Sequence, residues 1–269
     1  MSVELIERRR AAIRKHVFLL CPNNSGSTFL SKAIGTSPAV WSLAREGQHT
    51  FGYAGPSTIA SPWPLIWYAD EESTTYFRNH PEFDWERTKR AWYLQASAEN
   101  DTAPVFMTKS PPFLLIADKL MANFASTSFL FMVRNPYAAM EGVLRRPRRT
   151  GDAGAGPDLP RIAAQHFVNC LRQQKANIAA YGDNSIAFTY EELCASPEKI
   201  AARIADLVPE LAGIDLTQKL SVKQAYDEPL RNMNEQQIGR LTAEQIKVAN
   251  EIFCPNADIL SHFDYDLIE

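Results

Sequence analysis

Four short apolar runs, each followed by a stretch with helical spacing, constrain the fold of this chain more than any other feature. HVFLLC (16–21) leads into a helical pattern from Thr28, and VFMTK (105–109) leads into PPFLLIADKLMANF. SFLFMV (128–133) leads into PYAAMEGVLRR, and SIAFTY (185–190) leads into SPEKIAARIADLV. Continuous apolar runs of this length suit strands buried on both faces, and a helix after each returns the chain to start the next strand in parallel. The predicted class is α/β, a central, mainly parallel sheet flanked by helices. Ser196, Pro197 and Glu198 supply a cap, a first-turn proline and an acid for the last of these helices.

With 269 residues, 45% of them hydrophobic, the chain can fill one large core, and a single domain over 1–269 is expected. A formal charge of -3 argues against nucleic acid or a membrane surface as the main partner. The opening MSVELIERRRAAIRKH mixes acids with arginines and reads as an amphipathic helix, with no signal-type apolar core. No run of eighteen apolar residues occurs, so a cytoplasmic protein without stable membrane insertion is expected. Cys21, Cys170, Cys194 and Cys254 lack zinc or redox spacing and read as buried thiols. Nothing in the sequence sets the oligomeric state.

Two segments break the alternation. Residues 50–84 hold four prolines among Trp63, Trp67, Tyr68 and Phe77, which suits an irregular but packed insertion, serving either as a substrate-side wall or as scaffold. RRPRRTGDAGAGPDLP (145–160) joins a charge run to a Gly, Ala and Pro-rich stretch and reads as a mobile lid or a solvated loop.

The loop at 22–28 lies where an α/β sheet binds ligands, between a strand end and a helix N-terminus that offers unpaired N–H groups to an anion. Against the nucleotide-triphosphatase pattern G-x-x-x-x-G-K-[ST], Gly26 and Thr28 are in register. Cys21 takes the place of the first glycine, however, and Ser27 that of the lysine. Without the lysine the β,γ-phosphates of ATP lose their point charge, whereas a less charged 5′-phosphate group can still be held by amides and hydroxyls.

NSGSTFL resembles the 5′-phosphosulfate loop of the sulfotransferases, commonly [KR]-S-G-T-T-[WL]-L. FLFMVRNPYAAMEG resembles that family's 3′-phosphate segment, VFMTKSPPFLL its intervening strand, and FTYEELCASPEKIAARI its later strand and helix, all in the family's order. The resemblance spans 17–207 and implies a P-loop-like three-layer sandwich that binds 3′-phosphoadenosine 5′-phosphosulfate (PAPS, product PAP). It is nearer the bacterial enzymes related to the carbohydrate and tyrosylprotein branches, because the alcohol-activating histidine of the cytosolic steroid and phenol branch is missing. By this resemblance Ser25, Gly26, Ser27 and Thr28 wrap the 5′-phosphosulfate and Phe29 stands at the adenine-stacking position. Arg134 meets the 3′-phosphate, and Tyr190 lies on the adenine side.

The chain departs from the family at Asn24, where a basic residue belongs, and at Gly142, where a serine contacts the 3′-phosphate. Arg231 and Asn232 in EPLRNMN loosely resemble the C-terminal basic segment and are candidates to compensate. Sulfuryl transfer moves a neutral SO3-like unit through a loose transition state, so positioned donors can serve without a metal. Lys109 is the candidate for the charge that Asn24 lacks. Glu46 matches the glutamate base of the carbohydrate and tyrosylprotein branches; His49 is the other chemically apt base. The expected function is transfer of a sulfonate from PAPS to a hydroxyl, less readily an amine, of a small-molecule or glycan-like acceptor. Two alternatives stay open: a P-loop small-molecule or nucleoside kinase, and a nucleotide-binding protein that has lost catalysis.

Overall fold

The computed structural model describes residues 2–56, 65–79, 83–146, 158–222, 226–228 and 230–269. The chain runs α1 (Ser2–Ala12), β1 (Lys15–Leu20), α2 (Ser27–Gly35), β2 (Val40–Ser42), α3 (Glu71–Asn79) and α4 (Trp85–Gln95). It continues through β3 (Val105–Lys109), α5 (Ala117–Asn123), β4 (Thr127–Val133), α6 (Pro136–Leu144), α7 (Leu159–Tyr181) and β5 (Ser185–Thr189). After α8 (Tyr190–Ala195) and α9 (Pro197–Leu207) come a short antiparallel pair, β6 (Leu220–Val222) and β7 (Tyr226–Glu228), and then α10 (Asn234–Ile238), α11 (Ala243–Phe253) and α12 (Ala257–Ser261).

Strands β1 to β5 form one parallel sheet in the order β2-β3-β1-β4-β5. The fold is thus α/β with a fully parallel five-stranded sheet, and each strand identified from its apolar run is present. Successive strand residues alternate between two cores. Phe18, Leu20, Phe106, Phe129 and Phe131 face an aromatic layer in which Trp92 of α4 stacks on Phe106 and Phe124, with ring centroids 5.8 and 5.6 Å apart. Val17, Leu19, Met107, Leu130 and Met132 face α2 and α9 through Leu30, Ile34, Ile200 and Ile204. Each fully buried side chain of this size contributes about 1.5–3 kcal/mol, so the two faces together fix the strand register. A third cluster joins α6, α7, α11 and α12.

The strand order reverses beside β1, with β2 and β3 on one side and β4 and β5 on the other. A crevice therefore opens at the carboxyl ends of β1 and β4, the switch-point position at which such sheets take ligands.

Local differences from the sequence expectation have simple causes. PPFLLIADKLMANF is split into a 3-10 turn at Pro111–Ile116, with its prolines in the first turn, and a short α5. Helix α9 starts at Pro197 as expected, but the Ser196 side chain makes no cap bond. Ser196 also closes α8, its N–H donating to the Glu192 carbonyl at 2.8 Å. Cys21 and Cys170 are buried, whereas Cys254 is exposed, against the expectation of buried thiols throughout. Most of the expected mobile loop at 145–160 lies outside the described residues. Among those described, no helix is long and apolar enough to cross a membrane.

Candidate active site

A cavity of about 580 Å³ opens over the carboxyl ends of β1, β3 and β4, lined by the first loop, Glu46, His49, Lys109, Arg134 and residues of the C-terminal segment. Its floor is the turn between β1 and α2. Asn24 (φ 60°) and Gly26 (φ 81°) both sit in the left-handed region, a backbone geometry used by anion-binding turns, just before the start of α2. Gly26 is doubly required, since a Cβ there would also stand 2.6 Å from the Tyr190 ring. Ser25 is fully buried, and its hydroxyl donates to the Pro22 carbonyl at 2.8 Å, so it braces the loop. Ser27, Thr28 and Phe29 reach the cavity wall, although Phe29 is only 4% exposed and is mostly engaged in the core beneath.

Arg134 follows the last residue of β4 and is 7% exposed. Its Nε donates to Asn234 Oδ1 at 2.8 Å, its Nη1 to the Asn24 carbonyl at 2.7 Å and its Nη2 to Gln237 Oε1. The guanidinium lies 4.0 Å over the Tyr190 ring, whose hydroxyl donates to the Arg231 carbonyl at 2.6 Å. Among the described residues no carboxylate lies within ion-pair distance of Arg134. Burial lowers the Arg134 pKa and raises that of Tyr190. A desolvated cation on neutral oxygens at a cavity wall is a site for an anion.

Glu46, His49 and Lys109 form a second cluster. Lys109, at the end of β3, donates through Nζ to Glu46 Oε1 and to Thr28 Oγ1, both at 3.2 Å. Glu46 precedes a 3-10 turn at Gly47–His49, whose three-residue repeat puts His49 Nε2 3.8 Å from Glu46 Oε2. The turn is clamped to the core: Trp92 Nε1 donates to the Gly47 carbonyl at 3.0 Å, and the Gln48 N–H donates to Ser110 Oγ at 3.1 Å. A Cβ at residue 47 would stand 2.9 Å from Trp92, so the position takes only glycine without movement. This wall therefore holds a carboxylate, an ammonium and an imidazole on rigid backbone.

The sequence family model for sulfotransferases matches residues 16–209, a span that contains the loop, Arg134, the Glu46, His49 and Lys109 cluster and four of the five sheet strands whole, together with nearly all of β1. This chain belongs to the sulfotransferase family. In solved structures, a sulfotransferase from Mycobacterium avium is similar with a TM-score of 0.55 at 14% identity, covering 99% of this chain and 82% of that one. The sulfotransferase domain of the Synechococcus olefin synthase gives 0.53 at 14% identity, covering 95% and 96%. That of the curacin biosynthetic pathway gives 0.50 at 16%, covering 94% and 98%. At such identities the likeness speaks for the fold. No curated protein matches the sequence.

Several lining residues of this sulfotransferase escaped the sequence reading. Arg145 and Arg146 were visible only as a charge run, and Arg240 and Gln237, brought in by α10 and the turn after it, carried no signal. Arg231 lines the cavity, whereas the Asn232 side chain accepts from the Asn234 N–H at 2.9 Å and Asn232 is not part of the wall. Gly142 lies in the wall directly against Asn24. Asn23, also in the wall, accepts from Trp67 Nε1 at 2.7 Å, which ties the 65–68 stretch to the loop. The thiol of Cys21, under the loop, is pushed up to about 11 by burial and is inert there. Buried His16 and His166 are lowered to about 4 and about 3 and belong to the core. Among the described residues, no three His, Cys, Asp or Glu side chains converge as a metal-binding group.

Proposed function

We propose that the chain is a cytoplasmic, PAPS-dependent sulfotransferase, acting on a hydroxyl, less readily an amine, of a small-molecule or glycan-like acceptor. One observation carries the assignment: a glycine-turned loop at a helix N-terminus and a buried arginine free of carboxylate partners among the described residues share one cavity. That pairing suits two separate phosphate groups on one nucleotide better than a metal-bridged triphosphate. The fit is also one of size, since cavities of about 300–1,000 Å³ are typical for small-molecule ligands. Gly26, Ser27 and Thr28 would hold the 5′ side and Arg134 the 3′-phosphate, with Phe29 and Tyr190 nearest the base. When bound, PAPS supplies an activated sulfonate and a good leaving group.

Lys109 would supply the charge that Asn24 lacks, as its Nζ already touches the loop hydroxyl of Thr28. It would neutralise charge growing on the leaving oxygen. Glu46, held by Lys109, would take the acceptor proton, as in the glutamate-using branches the sequence resembles. We further propose that residues 1–269 act as one domain, with the 50–84 segment as the substrate-side wall.

Thermal melting tests the reading. Adenosine 3′,5′-bisphosphate should raise the melting temperature without magnesium and outcompete ATP. Stabilisation by ATP only with magnesium, with no effect of saturating bisphosphate, would instead favour a kinase.

A further inference from the structure

Arg134 is held by two amides, and each amide is in turn held by a carboxylate. Gln237 accepts from Arg134 Nη2 through Oε1, while its Nε2 donates to Glu141 Oε2 at 2.8 Å and to the Ala138 carbonyl at 3.2 Å. Asn234 accepts from Arg134 Nε through Oδ1 and donates through Nδ2 to Glu191 Oε1. The amide orientations follow from chemistry, because a guanidinium only donates and a carboxylate only accepts. Both carboxylates have further partners. Glu141, 3% exposed, also accepts from Arg145 Nε at 2.8 Å, and Arg240 Nη1 lies 3.6 Å away. Glu191 also accepts from the Asn135 N–H at 3.0 Å and from the Tyr265 hydroxyl at 3.1 Å.

An amide between guanidinium and carboxylate has two effects. It orients the planar fork through charge-assisted hydrogen bonds, and it keeps the two charges from meeting. The described bonds engage three of the five guanidinium N–H groups, leaving one on each Nη nitrogen. Because a direct carboxylate would compete with an incoming phosphate for that charge, the spacing keeps Arg134 available while still satisfying its burial.

We infer that Gln237 and Asn234 are positioning residues that hold Arg134 apart from Glu141 and Glu191 as a pre-set receptor for a phosphate monoester. The inference rests on the sulfotransferase reading above and assigns this role to the 3′-phosphate of the nucleotide.

The test is a binding cycle by calorimetry, with adenosine 3′,5′-bisphosphate and adenosine 5′-monophosphate as probes, on wild type, Gln237→Met, Arg134→Ala and the double variant. The readout is the affinity ratio of the two nucleotides, which a merely structural loss would leave unchanged. Gln237→Met should reduce the preference for the bisphosphate by about tenfold, and should have no further effect on it when Arg134 is already alanine. Should Gln237→Met fail to melt cooperatively, Asn234→Ala takes its place in the cycle. A wild-type ratio near one would sink the underlying functional reading. A wild-type preference that Arg134→Ala abolishes but Gln237→Met leaves intact would overturn only the positioning role, as would an effect of Gln237→Met that persists without Arg134.

Discussion

Asn24 lies directly on Gly142: a Cβ at residue 142 would stand 2.8 Å from Asn24 Nδ2 and 2.9 Å from its Cγ. The two positions at which the chain departs from the motifs it resembles are therefore a single contact. Asn24 Nδ2 donates to the Ala139 carbonyl at 3.2 Å, and the Asn24 carbonyl accepts from Arg134, so this residue links the loop to the arginine arm. At φ 60° an asparagine is tolerated better than a lysine would be.

Restoring serine at residue 142 should therefore be harmful unless Asn24 gives way. Gly142→Ser is expected to destabilise the fold by about 1–3 kcal/mol through overpacking. In an Asn24→Gly background, where the left-handed turn is kept and the side chain is gone, most of that loss should vanish. Urea unfolding of the four proteins measures the coupling, and strict additivity would contradict the contact.

Gly26 gives a second steric test. Gly26→Ala meets the Tyr190 ring at 2.6 Å, and the ring is pinned by its hydroxyl bond and by the Arg134 guanidinium. The variant should lose about 1–2 kcal/mol from the left-handed backbone alone and more from the clash. Adding Tyr190→Leu should recover the second part and not the first. If the single variant melts like wild type, the loop does not hold this conformation.

Much of this was legible in the sequence, and what was not has a physical pattern. Strands β1, β3 and β4 were readable because both their faces are buried, so each apolar run is continuous, and Arg134 was readable because a charge at the end of such a run stands out. The Lys109–Glu46 pair came only as two separate candidates 63 positions apart, joined by the parallel register of β2 and β3. Gln237 and Asn234 were invisible, because an amide has no compositional signature and its role depends on which two charges the fold sets on either side of it. Gly47 was unreadable for the same reason, since its constraint is the Trp92 ring.

The buried histidines predict a pH dependence of stability. His16 donates through Nδ1 to the Ala125 carbonyl at 2.9 Å and accepts at Nε2 from the Tyr93 hydroxyl at 2.7 Å, and burial lowers its pKa to about 4; burial lowers that of His166 to about 3. With folded values below the unfolded one, the unfolded chain binds protons first as pH falls. The stabilisation is complete above about pH 6.5 and is lost as pH drops toward the folded values, at up to about 1.4 kcal/mol per pH unit for each histidine. Between about pH 6.5 and 5 carboxylates contribute little, so the slope there belongs to histidine. Denaturant midpoints should fall over this window in wild type and fall less steeply in His16→Asn. An unchanged slope in the variant would show that His16 does not titrate as a buried neutral group.

The last prediction concerns the proton of the acceptor. Glu46 and His49 both border the cavity, but only Glu46 is tied to the group that would neutralise the leaving oxygen, through Lys109 Nζ at 3.2 Å. His49 is joined to that system at 3.8 Å from Glu46 Oε2, with Gln48 Nε2 3.4 Å from both groups. Glu46→Gln keeps the shape and removes the base, so it should lower turnover by about 10² to 10⁴ with little change in nucleotide affinity. Lys109→Met should also reduce turnover, and its effect should combine with that of Glu46→Gln in a less than additive way, because the two side chains act as one unit. His49→Gln should cost far less. Phenol acceptors of graded acidity make the comparison decisive, since an acidic phenol needs little help from a base and should largely escape the Glu46→Gln loss, while a weakly acidic alcohol should suffer it in full. Near-normal transfer to the weak alcohol by Glu46→Gln, together with its abolition in His49→Gln, would move the base to His49 and leave Glu46 only the task of holding Lys109.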